Sequence, residues 1–318
     1  MAKKIVTPKL VSTKVYKTGQ TRGADDDVIY QNRVGRNSTV LISYGELDKF
    51  RRFIANNGFE KGFIVLIKPE DYFSLSKEAL SEEGLELGSN LLVFYETREQ
   101  WNHYPPLTEW SCANSRENPL GGEFVARVPA TTSEGSGKII QGYNSSKMKG
   151  AGIRVYEYAS TQTIKDCKCQ LELLFWSCKD IETLIANDNL DRESVKQRIL
   201  ELKRYAQQNN LFDKEKLIKA RIIDEDGFTI CPLCLKHISA DSFCSRIQQA
   251  EGRDVPDLTV TEVSLFHIHE LRSGEFNHRP YNLGWGHHHC NVVVKDSGIS
   301  ETLQWMKDVI ERNEEASF

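Results

Sequence analysis

Cys231-x-x-Cys234 and His287-x-x-Cys290 are two pairs of metal-ligating side chains with the same i, i+3 spacing, and they constrain the fold more than any other feature. A C-x-x-C turn aims both thiolates at one point, as a tetrahedral zinc ion requires, and the second pair supplies the two missing ligands. The first pair sits in GFTICPLCLKHIS, a turn with apolar flanks. His237 and Cys244 are rival ligands, and a packed thiol pair is the plainer alternative for Cys231 and Cys234. Four protein ligands would leave no position for water, so such a site is structural. Seven of the eight histidines fall between His237 and His289, and four of the eight cysteines between Cys231 and Cys290. The chemistry of the chain belongs in its last third.

At 318 residues the chain has room for two or three domains of ~100–200 residues each. With 39% hydrophobic and 27% charged residues it is too apolar for a disordered protein. Its longest apolar runs (Phe63–Ile67, Leu91–Phe94, Leu173–Trp176) fall far short of the ~20 residues of a membrane helix. The opening MAKKIVTPKL has no apolar stretch of signal-peptide length, so a cytoplasmic location is expected, with the cysteines reduced. The net charge of −4 is unevenly spread: residues 1–60 hold 11 Lys+Arg against 6 Asp+Glu, and residues 61–100 hold 4 against 8. The basic segment is a candidate phosphate-contacting surface; plain solvated surface is the alternative.

The first half reads as mixed α and β. Ser43-x-x-Glu46 has the form of a capping box before a helix with Leu47, Phe50 and Ile54 on one face and Gly58 as its stop. Phe63–Ile67 and Leu91–Tyr95 read as buried strands, and Gly122–Val128, Gly152–Tyr158 and Cys169–Trp176 as further strands. Residues 129–150, rich in Ser, Thr and Gly, read as a long loop. From Asp180 the pattern turns helical: Asp191 can cap a helix carrying Val195, Ile199, Leu202 and Ala206. From Ser300 onward, Leu303, Met306 and Ile310 have helical spacing and read as a core-facing stripe. SEGSGK (133–138) resembles a phosphate-binding loop but lacks its first glycine and its Ser/Thr, so no nucleotide cofactor is expected. Cys167 and Cys169 read as a packed pair, and Asp166-Cys167-Lys168 as a chance tripeptide.

Between the two ligand pairs lies SLFHIHELRSGEFNHRPYNLGWGHHHCN. His267 and His269 alternate, so on a strand both imidazoles face one side. Asn282 stands five residues before His287, and Asn291 directly follows Cys290. This order of histidine, mid-loop asparagine, ligand pair and asparagine resembles the HNH, or ββα-metal, nuclease finger. The resemblance implies His267 as general base, Asn282 as the residue that fixes the loop through backbone hydrogen bonds, and Asn291 as ligand of a catalytic Mg²⁺. It also implies a zinc knuckle of Cys231, Cys234, His287 and Cys290. Phe266 departs from the pattern, since the family usually places a metal-ligating Asp or His just before the base. Either the ion has one strong protein ligand, or His269 or a residue outside the motif contributes. The roles of His267 and His269 can also be exchanged. Arg272 and Arg279 stand where they can contact phosphate.

The wider segments KARIIDEDGFTICPLC, GEFNHRPYNLGWGHHHCNVVVKDSG and VYKTGQTRGADDDVIYQNRVGRNSTVLI resemble type II restriction endonucleases of the BstXI kind. The resemblance implies an α+β protein. A mixed α/β DNA-recognition region spans 1–180, a helical connector 181–219, and a zinc-stapled HNH nuclease domain 220–318. The expected activity is sequence-specific hydrolysis of double-stranded DNA by a homodimer in a restriction-modification system, with no membrane partner. Arg33 and Arg36, in the polar run that starts at Tyr30, are candidate base- or phosphate-contacting residues. A modification-dependent, nicking or junction-cutting HNH nuclease is the alternative, and a non-catalytic zinc DNA-binding protein a further one.

Overall fold

Val, Ile and Leu in unbroken runs make strands when helices cover both faces of a sheet, because no position then needs to be polar. The structure, a computed structural model, describes residues 6–21, 29, 34–114, 120–128, 139–142, 151–245, 261–295 and 297–315. Residues 20–160 form one compact unit, and residues 1–19 with 161–318 form a second. Helix α1 (Lys9–Lys17) opens the chain and belongs to the second unit.

The 20–160 unit has a two-stranded ribbon, β1 (Gln20–Thr21) with β2 (Val34–Gly35), and a six-stranded sheet. The sheet contains β3 (Val40–Ser43), β4 (Phe63–Ile67), β5 (Leu91–Tyr95), β6 (Phe124–Val128), β7 (Ile139–Gln141) and β8 (Ile153–Arg154), in the order β7-β6-β5-β4-β3-β8. Every pairing is parallel except that of β7 with β6. Alternate residues face two separate cores. Val65, Ile67, Leu91 and Val93 face one; Ile64, Leu66, Leu92 and Val125 face the other. The first core is closed by Leu47 of α2 (Leu47–Ala55), Tyr72 of α3 (Pro69–Ser74), Leu80 of α4 (Lys77–Glu82) and Trp101 of α5 (Arg98–His103).

Two local expectations change here. Ser43 forms no side-chain cap, because Tyr44–Glu46 makes a 3₁₀ turn before α2. The strand expected over Gly152–Tyr158 ends at Arg154, where another 3₁₀ turn begins. Of the loop expected over 129–150, only residues 139–142 are among those described, and they contain β7.

The second unit continues with α6 (Thr161–Trp176), α7 (Ile181–Asn187), α8 (Arg192–Gln208) and α9 (Lys214–Lys219). Asp191 caps α8 as its sequence suggests, accepting from Ser194 N at 3.1 Å. The strand expected over Cys169–Trp176 is instead the last half of α6. Every residue from Cys169 to Trp176 is buried, so the helix has no polar face to betray a 3.6-residue period. Two of its buried polar side chains are paired: Glu172 accepts from Arg198 at 2.8 and 2.6 Å, and Gln170 donates to Leu211 O at 2.6 Å.

The same core that holds α6 also holds Val11 and Val15 of α1, together with Phe266, Leu283, Trp285 and Cys290 from the last third of the chain. The boundary expected at residue 180 therefore moves to 160, and α1 crosses to the other side. Trp285 anchors this core: it is 1% exposed, its Nε1 donates to Leu171 O at 2.8 Å, and its ring stands edge-on to Phe243 at 5.0 Å. Trp285→Ala is expected to cost about 3–5 kcal/mol of unfolding free energy in a denaturant titration, from the cavity and the lost indole hydrogen bond together.

The chain ends with β9 (Val263–His267), β10 (Leu283–His287), α10 (His288–Val294) and α11 (Ile299–Glu315). The core stripe expected on α11 is displaced. Ile299 and Thr302 are buried and Met306 packs on the core, whereas Leu303 and Ile310 are exposed. No helix among the described residues is long and apolar enough to cross a membrane.

Candidate active site and metal cluster

β9 and β10 form an antiparallel pair in the register His267 to Leu283 and Val263 to His287, and α10 follows β10 directly and packs back on β9. Gly286 makes the close crossing possible, since a Cβ there would lie 2.4 Å from the Phe266 ring. Phe266 is fully buried and faces the core, so the position expected to carry a second metal ligand cannot supply one. Lys14 of α1 donates to Val263 O at 2.5 Å, fixing the start of β9; burial, then nearby Lys17, pulls its ammonium down to about 8.

The knuckle is a closed turn. Leu235 N donates to Cys231 O and Cys231 N to Lys236 O, both at 2.9 Å, with Leu235 in the left-handed region at φ +60°. Arg221, which the sequence reading passed over, clamps the turn by donating to Pro232 O at 2.8 Å and Leu233 O at 3.4 Å.

Cys231, Cys234, His287 and Cys290 converge, with all four ligand atoms within 4.8 Å of one another and Cys234 Sγ 3.3 Å from His287 Nδ1. A tetrahedron with arms of ~2.0–2.3 Å has edges of roughly 3.3–3.8 Å, which the Cys234–His287 pair already meets, and three thiolates with an imidazole form a zinc-type donor set. Of the rival ligands, His237 is bound instead to Asp224 at 2.7 Å, and Cys244 lies outside the cluster. Burial, then neighbouring Cys231 and Cys234, pushes the Cys290 thiol up to about 12, and burial also raises Cys231. Crowded buried thiols become thiolates only when a cation compensates them, so these residues fit zinc. Burial lowers the His287 imidazole, which favours the neutral form a metal binds.

At the other end of the β9–β10 pair, His267, His269 and Asn282 of the sequence motif lie around one loop. Asn282 is buried and all three of its polar functions are used. Its Oδ1 accepts from His269 N at 2.8 Å, and its Nδ2 donates to His269 O at 3.0 Å and Asn277 O at 2.7 Å. Asn277, also passed over, donates from Nδ2 to Glu270 O at 2.7 Å and to Glu275 at 2.8 Å. Asn282→Ala would strand buried backbone groups at about 1–3 kcal/mol each. The expected outcome is a lowered unfolding free energy and faster amide exchange confined to residues 268–282, read by hydrogen exchange.

His267 ends β9 half-buried, with Nε2 3.2 Å from Nδ1 of buried His278. His269 is exposed and lines a cleft of about 240 Å³ with Glu270, Arg272, Arg279 and Glu301. Arg272 is ion-paired with Glu270 and, at 3.5 Å, with Glu301, so its charge is largely spent within the cleft. Arg279 is exposed and has no ion pair among the described residues. Asn291 lies half-buried on α10, and its carboxamide has no hydrogen-bond partner among the described residues, which leaves an oxygen donor open for a hard cation.

The two remaining arginines fare differently. Arg33 lies outside the described residues. Arg36 is 6% exposed and donates to Glu157 O at 3.0 Å inside the 20–160 unit. A guanidinium so enclosed cannot reach a phosphate or a base edge, so the DNA contact expected of Arg36 is replaced by a structural one.

The model of the BstXI restriction endonuclease family matches residues 13–288. The chain belongs to the BstXI restriction endonuclease family. In this BstXI-family chain the matched span runs through both units, from α1 to the first residue of α10, and stops just short of Cys290 and Asn291. No curated protein matches the chain. One solved structure, described as "Crystal structure of a type II restriction endonuclease", is similar at 17% identity and a TM-score of 0.29. That similarity covers 49% of this chain and 57% of the other, so the chain spans little more than half the length of that protein.

Proposed function

We propose that the protein is a sequence-specific endonuclease of the type II restriction class that hydrolyses double-stranded DNA with an HNH-type finger built from β9, β10 and α10. Membership of the BstXI family over most of the chain carries this reading. The strand-strand-helix order, with His267 at the strand end, Asn282 pinning the loop and Asn291 on the helix, supports the finger.

In this reading His267 takes a proton from the attacking water, a task suited to an imidazole that is neutral near physiological pH. Asn282 keeps the loop in the shape that presents it. Asn291 holds a divalent cation, Mg²⁺, which when bound stabilises the charge on the phosphate and on the leaving 3′ oxygen. Arg279 is the surface cation placed to contact DNA phosphate near the cut, with Arg272 held back by its two carboxylates. Cys231, Cys234, His287 and Cys290 bind zinc and staple α10 to the rest of the finger. Residues 20–160 choose the target sequence. One finger cuts one strand, so a homodimer on a two-fold site is the economical arrangement for a double-strand break.

The test is incubation of the purified full chain with unmodified supercoiled plasmid and Mg²⁺. Discrete linear fragments are expected, and none in excess chelator. Nicked circles alone would mark a single-strand cutter, and cutting only of methylated plasmid a modification-dependent one. Specific binding without any cleavage would leave a non-catalytic zinc protein.

A further inference from the structure

We propose that His278 is a positioning residue for His267, holding its ring with the proton on Nε2 so that Nδ1 is the nitrogen that takes the proton from water. The proposal rests on the nuclease reading above and adds a residue that the HNH sequence pattern does not assign. His278 lies in the loop between β9 and β10, 1% exposed, with its Nδ1 3.2 Å from Nε2 of His267. The ring centroids are 5.5 Å apart and tilted by 51°, so the two imidazoles meet nitrogen to nitrogen and do not stack. The neighbouring residue Asn277 is fixed to Glu270 and Asn282, which holds His278 in place relative to the end of β9.

A hydrogen bond between two imidazole nitrogens holds one proton, so one ring donates and the other accepts. If His278 donated, the lone pair of His267 would sit on Nε2 and be consumed by the pair. If His267 donates from Nε2–H, its lone pair is on Nδ1, the nitrogen that this contact does not use. Of the two, the second keeps the lone pair of His267 out of this contact, as the role of base requires. It requires His278 with its own proton on Nε2 and its lone pair on Nδ1. When Nδ1 of His267 gains the proton from water, Nε2–H still donates to His278, and the bond becomes charge-assisted and stronger. The pair therefore stabilises the state after proton transfer more than the state before it, which is what acceleration requires. This is the arrangement of a base oriented by a third group, with an imidazole in the orienting role.

The experiment compares full-length wild type, His278→Phe and His278→Asn. Phe fills the site without an acceptor; Asn places Oδ1 where Nδ1 of the histidine stood. Single-turnover cleavage of bound plasmid DNA in Mg²⁺, DNA affinity, and the imidazole nitrogen NMR shifts of His267 are measured, the last assigned by their loss in His267→Ala. His278→Phe is expected to cut slower by on the order of 10–100-fold, as when other supporting hydrogen bonds at an active site are removed. DNA affinity should stay unchanged, and His267 should lose its preference for the Nε2–H tautomer. His278→Asn should recover most of the rate and the tautomer. Wild-type cleavage by His278→Phe, or an Nδ1–H tautomer of His267 in the wild type, overturns the proposal. If His278→Phe does not fold, His278→Asn decides: a near-wild-type rate with the Nε2–H tautomer supports the role, and a rate lost with that tautomer retained refutes it. A fully active His267→Ala instead refutes His267 as the base, the part of the nuclease reading on which this proposal rests, whatever His278 does.

Discussion

His267→Ala is expected to lose cleavage by on the order of 10²–10⁴-fold or more while still binding specific DNA and zinc. The imidazole sits at the end of β9 and half-buried, so its removal leaves the packed residues of the strand, Val263 and Phe266, in place. The measurement is single-turnover cleavage beside a gel-shift titration on the same DNA. His269→Ala provides the control, because His269 is exposed and joined to the loop through its backbone, which the substitution preserves. Full activity in His267→Ala with loss in His269→Ala would exchange their roles.

Removal of zinc should have the largest effect on stability. Cys231 and Cys290 belong to the same core as Trp285 and Phe266, so the cluster is part of that core and not an appendage. Structural zinc contributes on the order of 10 kcal/mol to the folding of small zinc domains, and in a unit with additional packing several kcal/mol is expected. A strong chelator, or Cys231→Ser, should lower the melting transition of the unit formed by residues 1–19 and 161–318. The transition of the 20–160 unit should move little, because its cores contain none of the four ligands. Metal analysis should find about one zinc per chain, and cleavage should disappear with the metal because α10, which carries Asn291, begins directly after the ligand His287 and contains the ligand Cys290. A metal-free preparation with an unchanged melting profile would contradict the zinc assignment.

How far the sequence could be read depended on whether a signal was local. β4 and β5 occur over Phe63–Ile67 and Leu91–Tyr95 as expected, because a short apolar run between polar residues carries its own boundaries. Asp191 announces α8 through a side chain three residues from the amide it caps. The four ligands were legible for the same reason, each pair being a fixed turn. Helix α6 was not: burial on all sides erased its period, and with it the evidence that 161–176 belongs with the last third of the chain. A fragment of residues 220–318 would therefore lack Leu171 and Phe175, against which Trp285 and Phe243 pack, and should not fold alone. Arg36 shows the reverse difficulty, since nothing in its neighbours distinguishes a guanidinium that folds inward onto Glu157 from one that faces solvent. His278 was visible as a letter, but its pairing with His267 is a tertiary distance that no spacing encodes.

Cleavage of DNA at a chosen sequence is the activity proposed for this chain. The most direct measurement is sequencing of the ends produced when the full-length protein acts on unmodified genomic DNA in Mg²⁺. Ends are expected to cluster at one two-fold-related sequence on both strands, with none above background from His267→Ala. Ends scattered without a common sequence, or DNA left intact by zinc-loaded protein that still binds it, would contradict it.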